Sequence, residues 1–414
     1  MVYSWVYPKG PATNIAFLNQ SYLIQRETVE ALRRIPDARV AAIDIAAHPT
    51  LHQVNVLCGI LEQERCGAVV TINEWGTDTG GRFCDFCESR KIIHCNWCVD
   101  DPFYEEIILA KKYRPSPLRF DFVSDRGYVQ PMRERGYRAF FLPLCTDPAL
   151  FHPGPAAGGE RFDLVFVGNS YLRQMDDMLA LAPEFVDSIA PFLGGIIGSY
   201  LENVEYDIEA RILEVMKSIS LPRELSFEKA CYIAKHAAGY FGRKRIVIAL
   251  ARRYPGFRVF GDAGWLRDLP PERVGSAGYY NTLADVYRHA RIAIDINRMV
   301  IRNGFTQRPF DILASGGFVL TSAKPVVGDF FSPCGPEKDI SVFHSEKELF
   351  ESADYYLSHD RERLAIAGRG RSKVLSAHTY DHRMAAMFLL ISQELAAMQG
   401  SAPRRGAPPP QYIF

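Results

Sequence analysis

The sequence predicts an α/β protein in which two Rossmann-like domains follow one another along the chain. Short apolar runs alternate with helix-patterned segments over residues 1–145, a proline- and glycine-rich stretch follows, and the alternation resumes at Phe162. Strands that are separated by helices pair in parallel, and helices on both faces of a sheet make its strands continuous apolar runs. The 414 residues are enough for two or three domains.

Residues 1–145 carry the first strand–helix series. The predicted strands are Asn14–Leu18, Val40–Ile45, Ala68–Ile72, Lys91–Val99, Leu118–Val123 and Ala139–Leu142. Helical spacing of apolar residues lies between them, over Leu23–Arg34, Leu51–Arg65 and Asp125–Arg135. The series therefore predicts a parallel, doubly wound sheet for the first domain.

A linker over residues 146–160 separates this series from the next. It contains three prolines and three glycines, a composition typical of a chain between regular elements. The second domain is predicted over residues 161–382. A C-terminal helix over 383–398 and a flexible tail over 399–414 complete the chain.

The second domain repeats the alternation around a helical insertion. The predicted strands are Phe162–Val167, Phe257–Phe260, Ile292–Ile296, Phe318–Thr321 and Ser341–Phe343. Residues from about 172 to 253 have periodic apolar positions but no convincing strand, so they predict an all-helical insertion. If the two sheets face each other, each holds a ligand at the carboxyl ends of its strands, which suits transfer of a group between two ligands.

Capping residues mark the helices of this domain. Thr282 opens a capping box for a helix that runs to about residue 290, and Ser345 caps the helix that ends near Leu357. A helix over Pro309–Ser315 is closed by Gly316-Gly317 as a left-handed cap. A further helix is predicted over Arg361–Leu375.

Charge and hydropathy exclude several classes of protein. Lys and Arg together equal Asp and Glu at 48 each, which argues against a dedicated nucleic-acid binder. No apolar stretch approaches the roughly 18 residues of a membrane span, and residues 1–26 lack a continuous hydrophobic region, although peripheral membrane contact stays open. The sequence thus predicts a cytoplasmic protein whose nine cysteines are reduced.

The segment from Asn303 to Thr321 resembles the donor site of GT-B glycosyltransferases, a fold of two facing Rossmann-like domains. Four further segments are similar to CgeB-like (spore maturation type) members: Asn96–Pro102, Phe141–Pro148, Asp339–Leu349 and His378–Arg383. The resemblance covers nearly the whole chain, and the helical insertion is the part that it covers least. It implies a hexosyl- or pentosyltransferase, of the kind used in polysaccharide biosynthesis. Such an enzyme moves a sugar from a nucleotide-sugar, bound by the second domain, to a hydroxyl of a glycan, protein or small molecule, bound by the first.

The start of this segment supplies groups for the donor. Gly304, within the turn Asn303-Gly304-Phe305, lets the backbone approach a ligand, and the following helix start favours an anion. Arg308 can add a bidentate contact to the donor's diphosphate. By the resemblance, Asp311 takes the ribose hydroxyls and Asn303 faces the sugar. Many retaining members of the family have glutamates where this chain has Asn303 and Asp311. The identity of the donor and the choice between retention and inversion therefore stay open.

Other polar groups are candidates for the same site. Gly168 and Asn169 end the first strand of the second domain, where a turn of small residues contacts phosphate, and Arg173 follows. Arg298 and Arg302 precede the donor segment and can neutralise the leaving diphosphate in place of Mg²⁺. The alternatives are an ordinary turn and surface arginines.

No cofactor or metal is expected. The nearest pattern to the Asp-x-Asp of metal-dependent transferases is Asp295-Ile-Asn297, which lacks the second carboxylate. Cys84-x-x-Cys87 and Cys95-x-x-Cys98 suggest zinc, but strand alternation puts Cys95 and Cys98 on opposite faces, which favours buried, inert thiols.

Asp100 and Asp101 are the candidates for the catalytic base. They end the predicted strand Lys91–Val99 of the first domain, where a carboxylate can deprotonate an acceptor hydroxyl. The alternative is that one of them caps the next helix. A basic run, Arg243-Lys244-Arg245, ends the insertion; it is typical of a solvated helix face, with an anionic acceptor or membrane surface as alternatives.

Two other functions remain open at the level of sequence. One is a sugar-nucleotide-processing enzyme of the epimerase kind on the same fold, which would turn over its substrate without an acceptor. The other is a non-enzymatic surface- or coat-associated protein that retains the fold, which would bind no nucleotide tightly.

Overall fold

A computed structural model of the chain describes residues 13–154, 162–180 and 182–398. Part of the predicted linker, residues 155–160, and the predicted tail, residues 399–414, lie outside the described residues. The described chain divides into two compact units. The first runs to Pro143 and resumes at Tyr380, and the second is Leu144–Thr379.

The first unit contains a parallel six-stranded sheet. Its strands are β1 (Thr13–Asn19), β2 (Ala38–Asp44), β3 (Ala68–Ile72), β4 (Ile93–Cys98), β5 (Arg119–Val123) and β6 (Ala139–Phe141). The strand order is β2-β1-β3-β4-β5-β6. The order reverses between β1 and β3, which is the position where ligands bind in open parallel sheets.

Five helices follow these strands in the first part of the chain. They are α1 (Gln25–Arg33), α2 (Leu51–Gln63), α3 (Arg82–Arg90), α4 (Tyr104–Leu109) and α5 (Val129–Glu134). A capping box starts α2: the Thr50 side chain accepts from the Gln53 backbone amide, and the Gln53 side chain accepts from the Thr50 backbone amide. Leu57 of α2, Val69 of β3 and Phe83 of α3 belong to one buried apolar cluster, which fixes both helices on the sheet.

The second unit contains the other parallel sheet. Its strands are β7 (Phe162–Val167), β8 (Phe257–Phe260), β9 (Val274–Gly275), β10 (Ala290–Asp295), β11 (Val319–Ser322) and β12 (Ser341–Phe343). The order is β12-β11-β10-β7-β8-β9. This is the strand order of dinucleotide-binding Rossmann domains, with the reversal between β7 and β10.

Helices fill the predicted insertion and surround the second sheet. They are α6 (Leu172–Ala180), α7 (Pro183–Glu202), α8 (Ile208–Met216), α9 (Phe227–Arg253), α10 (Leu283–Arg288), α11 (Arg308–Ala314), α12 (Val327–Phe330), α13 (Glu346–Ser358) and α14 (Asp360–Ala377). Among the described residues no single helix has the length and apolarity to span a bilayer. Helices α6 and α7 have that length and apolarity only when they are taken together, and the pair is bent by 120°.

The last helix, α15 (Tyr380–Met398), belongs to the first unit. Its Arg383 is fully buried and donates from Nε to the Pro143 carbonyl oxygen over 2.8 Å. Asp381 accepts from Arg34, the residue that follows α1, over 2.8 Å. The carboxyl-terminal part of the chain thus completes the unit that the amino-terminal part begins.

Two of the three predicted caps are confirmed. Gly316 has φ 82°, and the Gly316 and Gly317 amides donate back to the last turn of α11, which is the left-handed cap. The Ser345 hydroxyl accepts from the Glu348 amide at the start of α13. The capping box at Thr282 is wrong: its hydroxyl accepts from the Gly278 amide instead, so it closes the preceding loop.

Candidate functional site

The second unit brings two loops together where its strand order reverses. The neighbouring strands β7 and β10 are parallel, with Phe166 opposite Ile294, so their carboxyl ends lie at the same edge of the sheet. A doubly wound sheet binds its ligand in the crevice at this edge. We call the residues around the ends of β7 and β10 the switch-point site.

The turn after β7 is fixed by hydrogen bonds. The Gly168 amide donates to the Phe260 carbonyl oxygen over 2.9 Å, and the Trp265 indole donates to the Gly168 oxygen over 2.8 Å. A Cβ on Gly261 would overlap that same Gly168 oxygen, so glycine is needed for the two turns to touch. Asn169 is exposed at the tip, and Arg173 is exposed on α6. Gly168 and Asn169 therefore form a rigid turn at the site edge.

Arg308 joins the ends of β7 and β10. Its Nε lies 2.9 Å from the Asp295 Oδ1, and its terminal nitrogens donate to the Val167 oxygen over 2.7 Å and the Ile296 oxygen over 3.2 Å. Three of the five guanidinium N–H groups are thus used by the protein, which leaves two for a ligand. The side chain is 18% exposed, so it combines a structural role with access to the site.

Protein donors surround the Asp295 carboxylate. Besides the ion pair to Arg308, it accepts from the Thr306 hydroxyl over 3.1 Å and the Thr321 hydroxyl over 2.8 Å. Asp295 is completely buried. Both oxygens of the Asp295 carboxylate therefore accept hydrogen bonds from the protein.

The predicted donor segment is anchored to its own unit. The Asn303 side-chain oxygen accepts from the Val326 amide over 2.9 Å. Gly304 is buried, and the Phe305 ring packs against Phe310 with centroids 5.3 Å apart. The contact of Asn303 with the sugar stays a prediction, since the structure uses its oxygen to hold the start of α12.

Asp311 points into the interior of the second unit. It lies in the first turn of α11, is 2% exposed and accepts from the Thr146 hydroxyl over 2.6 Å. The Thr146 hydroxyl thus already uses one oxygen of this carboxylate. The ribose contact implied by the resemblance therefore stays a prediction.

The predicted cations separate into two groups. Arg302 forms an ion pair with Glu209 of α8 over 2.5 Å, which ties the donor segment to the insertion. Arg298 instead lies with its guanidinium carbon 5.4 Å from the centroid of the Tyr171 ring. Arg308 lies 5.4 Å from the Phe166 ring. The structure thus brings Arg298 and Arg308 to the switch-point site and directs Arg302 away to Glu209.

A third arginine at the switch-point site comes from the basic run of α9. Arg243 is 6% exposed, and its guanidinium carbon lies 5.8 Å from the Phe166 ring and 5.4 Å from the Tyr171 ring. The prediction of a solvated helix face is wrong for Arg243 and holds for Arg245, whose side chain is 56% exposed. Helical periodicity could have placed Arg243 inside, because it shares a face with the buried Ile246, Val247 and Leu250.

Positive charge accumulates at this site. Burial, together with the neighbouring Arg308 and Arg298, lowers the pKa of Arg243 to about 9. The Arg308 guanidinium pairs with the Asp295 carboxylate, and the guanidinium groups of Arg243 and Arg298 both lie near the Tyr171 ring. Such an arrangement favours an anionic ligand.

Comparisons with known proteins agree with this architecture. Residues 243–388 match a family model described as glycosyl transferase-like. Sucrose-phosphate synthase from Thermosynechococcus elongatus superposes with a TM-score of 0.54 at 10% identity, covering 93% of this chain and 100% of that one. A glycosyltransferase from Rickettsia africae gives 0.51 at 10% identity, covering 93% and 99%. Anabaena Alr3699/HepE, solved with UDP and glucose, gives 0.50 at 10% identity, covering 94% and 100%.

The chain has the GT-B fold. The family match begins within α9 and includes β10 and the donor segment, and it confirms the prediction of a glycosyltransferase. No curated protein sequence matches this chain. The CgeB-like subfamily stays a prediction.

In the first unit of this GT-B protein, the candidate bases Asp100 and Asp101 follow β4. The Asn73 amide donates to Asp100 over 2.9 Å, and the Tyr128 hydroxyl donates to Asp101 over 2.7 Å. Asp101 also accepts from the Phe103 amide, one residue before α4, so it closes the turn rather than capping the helix. The catalytic role of both stays a prediction.

Sequence reasoning missed a buried polar network beside them. Thr71, Asn96 and Asp121 lie opposite one another on β3, β4 and β5, all completely buried. Asn96 donates to Asp121 over 2.9 Å and accepts from the Glu74 amide over 2.7 Å. Arg119 binds Asp121 through both oxygens and also binds Glu74. The network crosses three strands just below the carboxyl edge of the sheet.

Glu74, Cys98 and Asp121 are the one group of metal-ligand types brought within 4.8 Å of one another in the described residues. The Arg119 guanidinium binds both carboxylates, so the space already holds a positive charge. Burial raises the pKa of the Cys95 and Cys98 thiols well above the usual range, and a protonated thiol is a poor ligand. The arrangement favours inert thiols over a zinc site.

Proposed function

We propose that the protein transfers a sugar from a nucleotide-sugar to a hydroxyl of an acceptor and binds the donor's diphosphate at the switch-point site. The observation that carries the proposal is the cluster of the Arg243, Arg298 and Arg308 guanidinium groups at the Phe166 and Tyr171 rings. A diphosphate brings the negative charge that this cluster lacks. Arginine forks match phosphate oxygens in geometry as well as in charge.

The cluster also supplies what the reaction needs. Breaking the glycosidic bond leaves a nucleoside diphosphate whose charge must be stabilised as it develops. Guanidinium groups fixed by protein contacts do this without a metal ion, since Arg308 is already held by Asp295 and two carbonyl oxygens. A metal-independent, cofactor-free reaction is therefore part of the proposal.

The solved relatives suggest which donors to test first. Alr3699/HepE has been solved with UDP and glucose, and sucrose-phosphate synthase is named for a sugar product. The proposal assigns the donor to the second unit and the acceptor, a glycan, protein or small molecule, to the first. A CgeB-like, cytoplasmic enzyme of polysaccharide biosynthesis is the finer form of the proposal.

The test is a donor panel without and with EDTA. We expect one or more of UDP-, GDP-, dTDP- and CMP-sugars to raise the melting temperature, because a ligand that binds only the folded state stabilises it. The donor that binds should release its nucleotide faster when hydroxyl acceptors are added, and EDTA should not change that rate. A panel with no thermal shift contradicts the proposal, and turnover that needs no acceptor favours an epimerase.

A further inference from the structure

The chain between β10 and α11 is an irregular loop over residues 296–307, which we call the donor loop. It carries Arg298 and Asn303 and leads into Arg308 at the start of α11. Its conformation therefore sets where these groups lie. An irregular segment keeps one conformation when neighbouring elements hold it, and three contacts show that the helical insertion does so at the edge of the second sheet.

The first contact is the packing of Met299, a residue of the donor loop, on helix α9. A Cβ on Gly239 would lie 3.6 Å from both the Cβ and the backbone nitrogen of Met299, and one on Gly242 would overlap the end of the Met299 side chain. Met299 is buried. Because Gly239 and Gly242 have no side chains, the middle of α9 packs directly against the donor loop.

The second contact is an ion pair between the donor loop and helix α8. Arg302 donates from a terminal nitrogen to a Glu209 carboxylate oxygen over 2.5 Å. Glu209 lies in the first turn of α8, and the Asp207 side chain caps this turn by accepting from the Ala210 amide over 2.9 Å. The cap fixes the backbone that carries Glu209. The insertion therefore presents a fixed carboxylate to the Arg302 guanidinium.

The third contact joins the insertion to the end of β12. The Val204 amide, between α7 and α8, donates to the His344 oxygen over 2.9 Å, and a Glu205 oxygen lies 3.2 Å from the His344 Nδ1. His344 directly follows β12. The strands β10, β11 and β12 are parallel neighbours, so His344 and the donor loop lie at the same edge of the sheet. The insertion is thus attached to this edge after two different strands.

We propose that the helical insertion positions the donor loop, and that Arg302 is a positioning residue held by Glu209 rather than a group that binds the donor. The affinity for the donor then depends on Glu209, which contacts the loop and not the nucleotide. The proposal rests on the proposed function for the identity of the ligand. It gives the insertion a role in the reaction, although the insertion is the part of the chain that the resemblance covers least.

The experiment exchanges the two charges of the pair. Glu209→Arg and Arg302→Glu are made singly and together, and the Kd values for UDP, GDP, dTDP and CMP are measured by calorimetry at physiological salt. Each single variant brings like charges together, which should displace the donor loop and weaken the nucleotide that the wild type binds by about 3- to 10-fold. The double variant restores an opposite pair and should bind within about twofold of the wild type.

The control is Glu214→Arg, which makes the same change of charge on the same helix. Glu214 pairs with Arg211 of α8 and not with the donor loop, so the control should leave the Kd unchanged. If Arg302 binds the diphosphate directly, the double variant stays as weak as Arg302→Glu. If the charges act only through their long-range field, Glu209→Arg binds the anion more tightly than the wild type. Either result overturns the proposal.

Hydrogen exchange of the ligand-free protein tests the loop itself. The amides of residues 296–307 should exchange faster in both single variants than in the wild type, and they should regain protection in the double variant. A lower affinity with unchanged exchange in this loop overturns the positioning role. If a charge reversal does not fold, Glu209→Gln, which removes the charge and keeps the shape, should still weaken binding about twofold; wild-type affinity in it overturns the proposal.

Failure of this proposal is distinguishable from failure of the proposed function. Equal nucleotide affinities in the wild type and all the variants overturn the positioning role and leave the glycosyltransferase assignment intact. Affinities that follow the expected pattern, with no sugar transfer from any donor, keep the positioning role and contradict the proposed reaction. A wild-type protein that binds none of the four nucleotides overturns both.

Discussion

Two carboxylates share one guanidinium inside the first unit. Glu74 and Asp121 both bind Arg119, and the exposed fractions of the three side chains are 8%, 0% and 4%. Glu74 sits in left-handed backbone at φ 63°, after Asn73 at φ 53°, a pairing that residues other than glycine rarely adopt. Burial raises the pKa of Glu74 to about 7; Arg119 opposes this shift and Asp121 adds to it.

This pKa predicts a pH-dependent stability. A carboxyl whose folded pKa is raised stabilises the fold fully below its unfolded pKa of 4.5, and this contribution is lost as the pH rises through about 7. As the pH rises from 4.5 through about 7, we expect the free energy of unfolding to decrease by on the order of 1–3 kcal/mol because of this group. Urea unfolding at several pH values measures it.

Glu74→Gln should remove that pH dependence, because the amide keeps the shape and does not titrate. The control is Glu62→Gln on α2, whose side chain is 54% exposed and should change nothing measurable. A Glu74→Gln profile parallel to that of the wild type would show that Glu74 does not titrate in this range.

Site residues were predictable from sequence only where one segment carries them. Arg308 was found because it opens a helix after a glycine turn, and it does lie at the switch-point site. Its pairing with Asp295 could not be foreseen, because those residues lie on different elements. Arg243 was missed for the same reason: its partners Phe166 and Tyr171 are more than 70 residues away in the sequence.

At the scale of elements, the apolar runs located the long strands because strands buried on both faces must be continuously apolar. The strand β9 and the helix α12 were missed, since two and four residues hold no periodic pattern. The predicted cap at Thr282 is wrong because its hydroxyl accepts from the Gly278 amide instead. This contact depends on how the loop folds, which the local sequence does not show. Local sequence therefore predicts the existence of elements better than their ends.

Two glycines on different elements predict opposite effects of the same substitution. Gly261 follows β8, and a Cβ there would overlap the Gly168 backbone oxygen, which cannot move freely. We expect Gly261→Ala to lower the free energy of unfolding by about 2 kcal/mol and to weaken nucleotide binding, because it displaces the turn after β7. Gly59 lies within α2 with nothing within 4 Å, so Gly59→Ala should stabilise by about 0.5–1 kcal/mol. Denaturant unfolding measures the free energy of unfolding of both variants. Equal changes in the two would contradict the packing described for Gly261.

At the scale of the whole molecule, the chain leaves the first unit at Pro143 and returns to it at Tyr380. Sequence patterns predicted a helix over residues 383–398 but gave no means of assigning it to a unit, because the assignment depends on contacts such as Arg383 to the Pro143 oxygen. The second unit is thus inserted within the first. Both termini of the second unit are joined to the first, so the first unit cannot complete its fold until α15 has been made.

This arrangement predicts two calorimetric transitions that respond to different changes, because separate compact units need not unfold together. Arg383→Met removes a fully buried donor to Pro143 and should cost the first unit about 3 kcal/mol, lowering its transition by roughly 5–10 °C. The nucleotide that binds best should raise only the other transition, since the switch-point site lies within the second unit. Asp381→Ala is the control on the same helix, because its pair with Arg34 is about half exposed and should shift the first transition by no more than about 2 °C. A single transition that moves with both the ligand and Arg383→Met would show instead that the two units unfold as one.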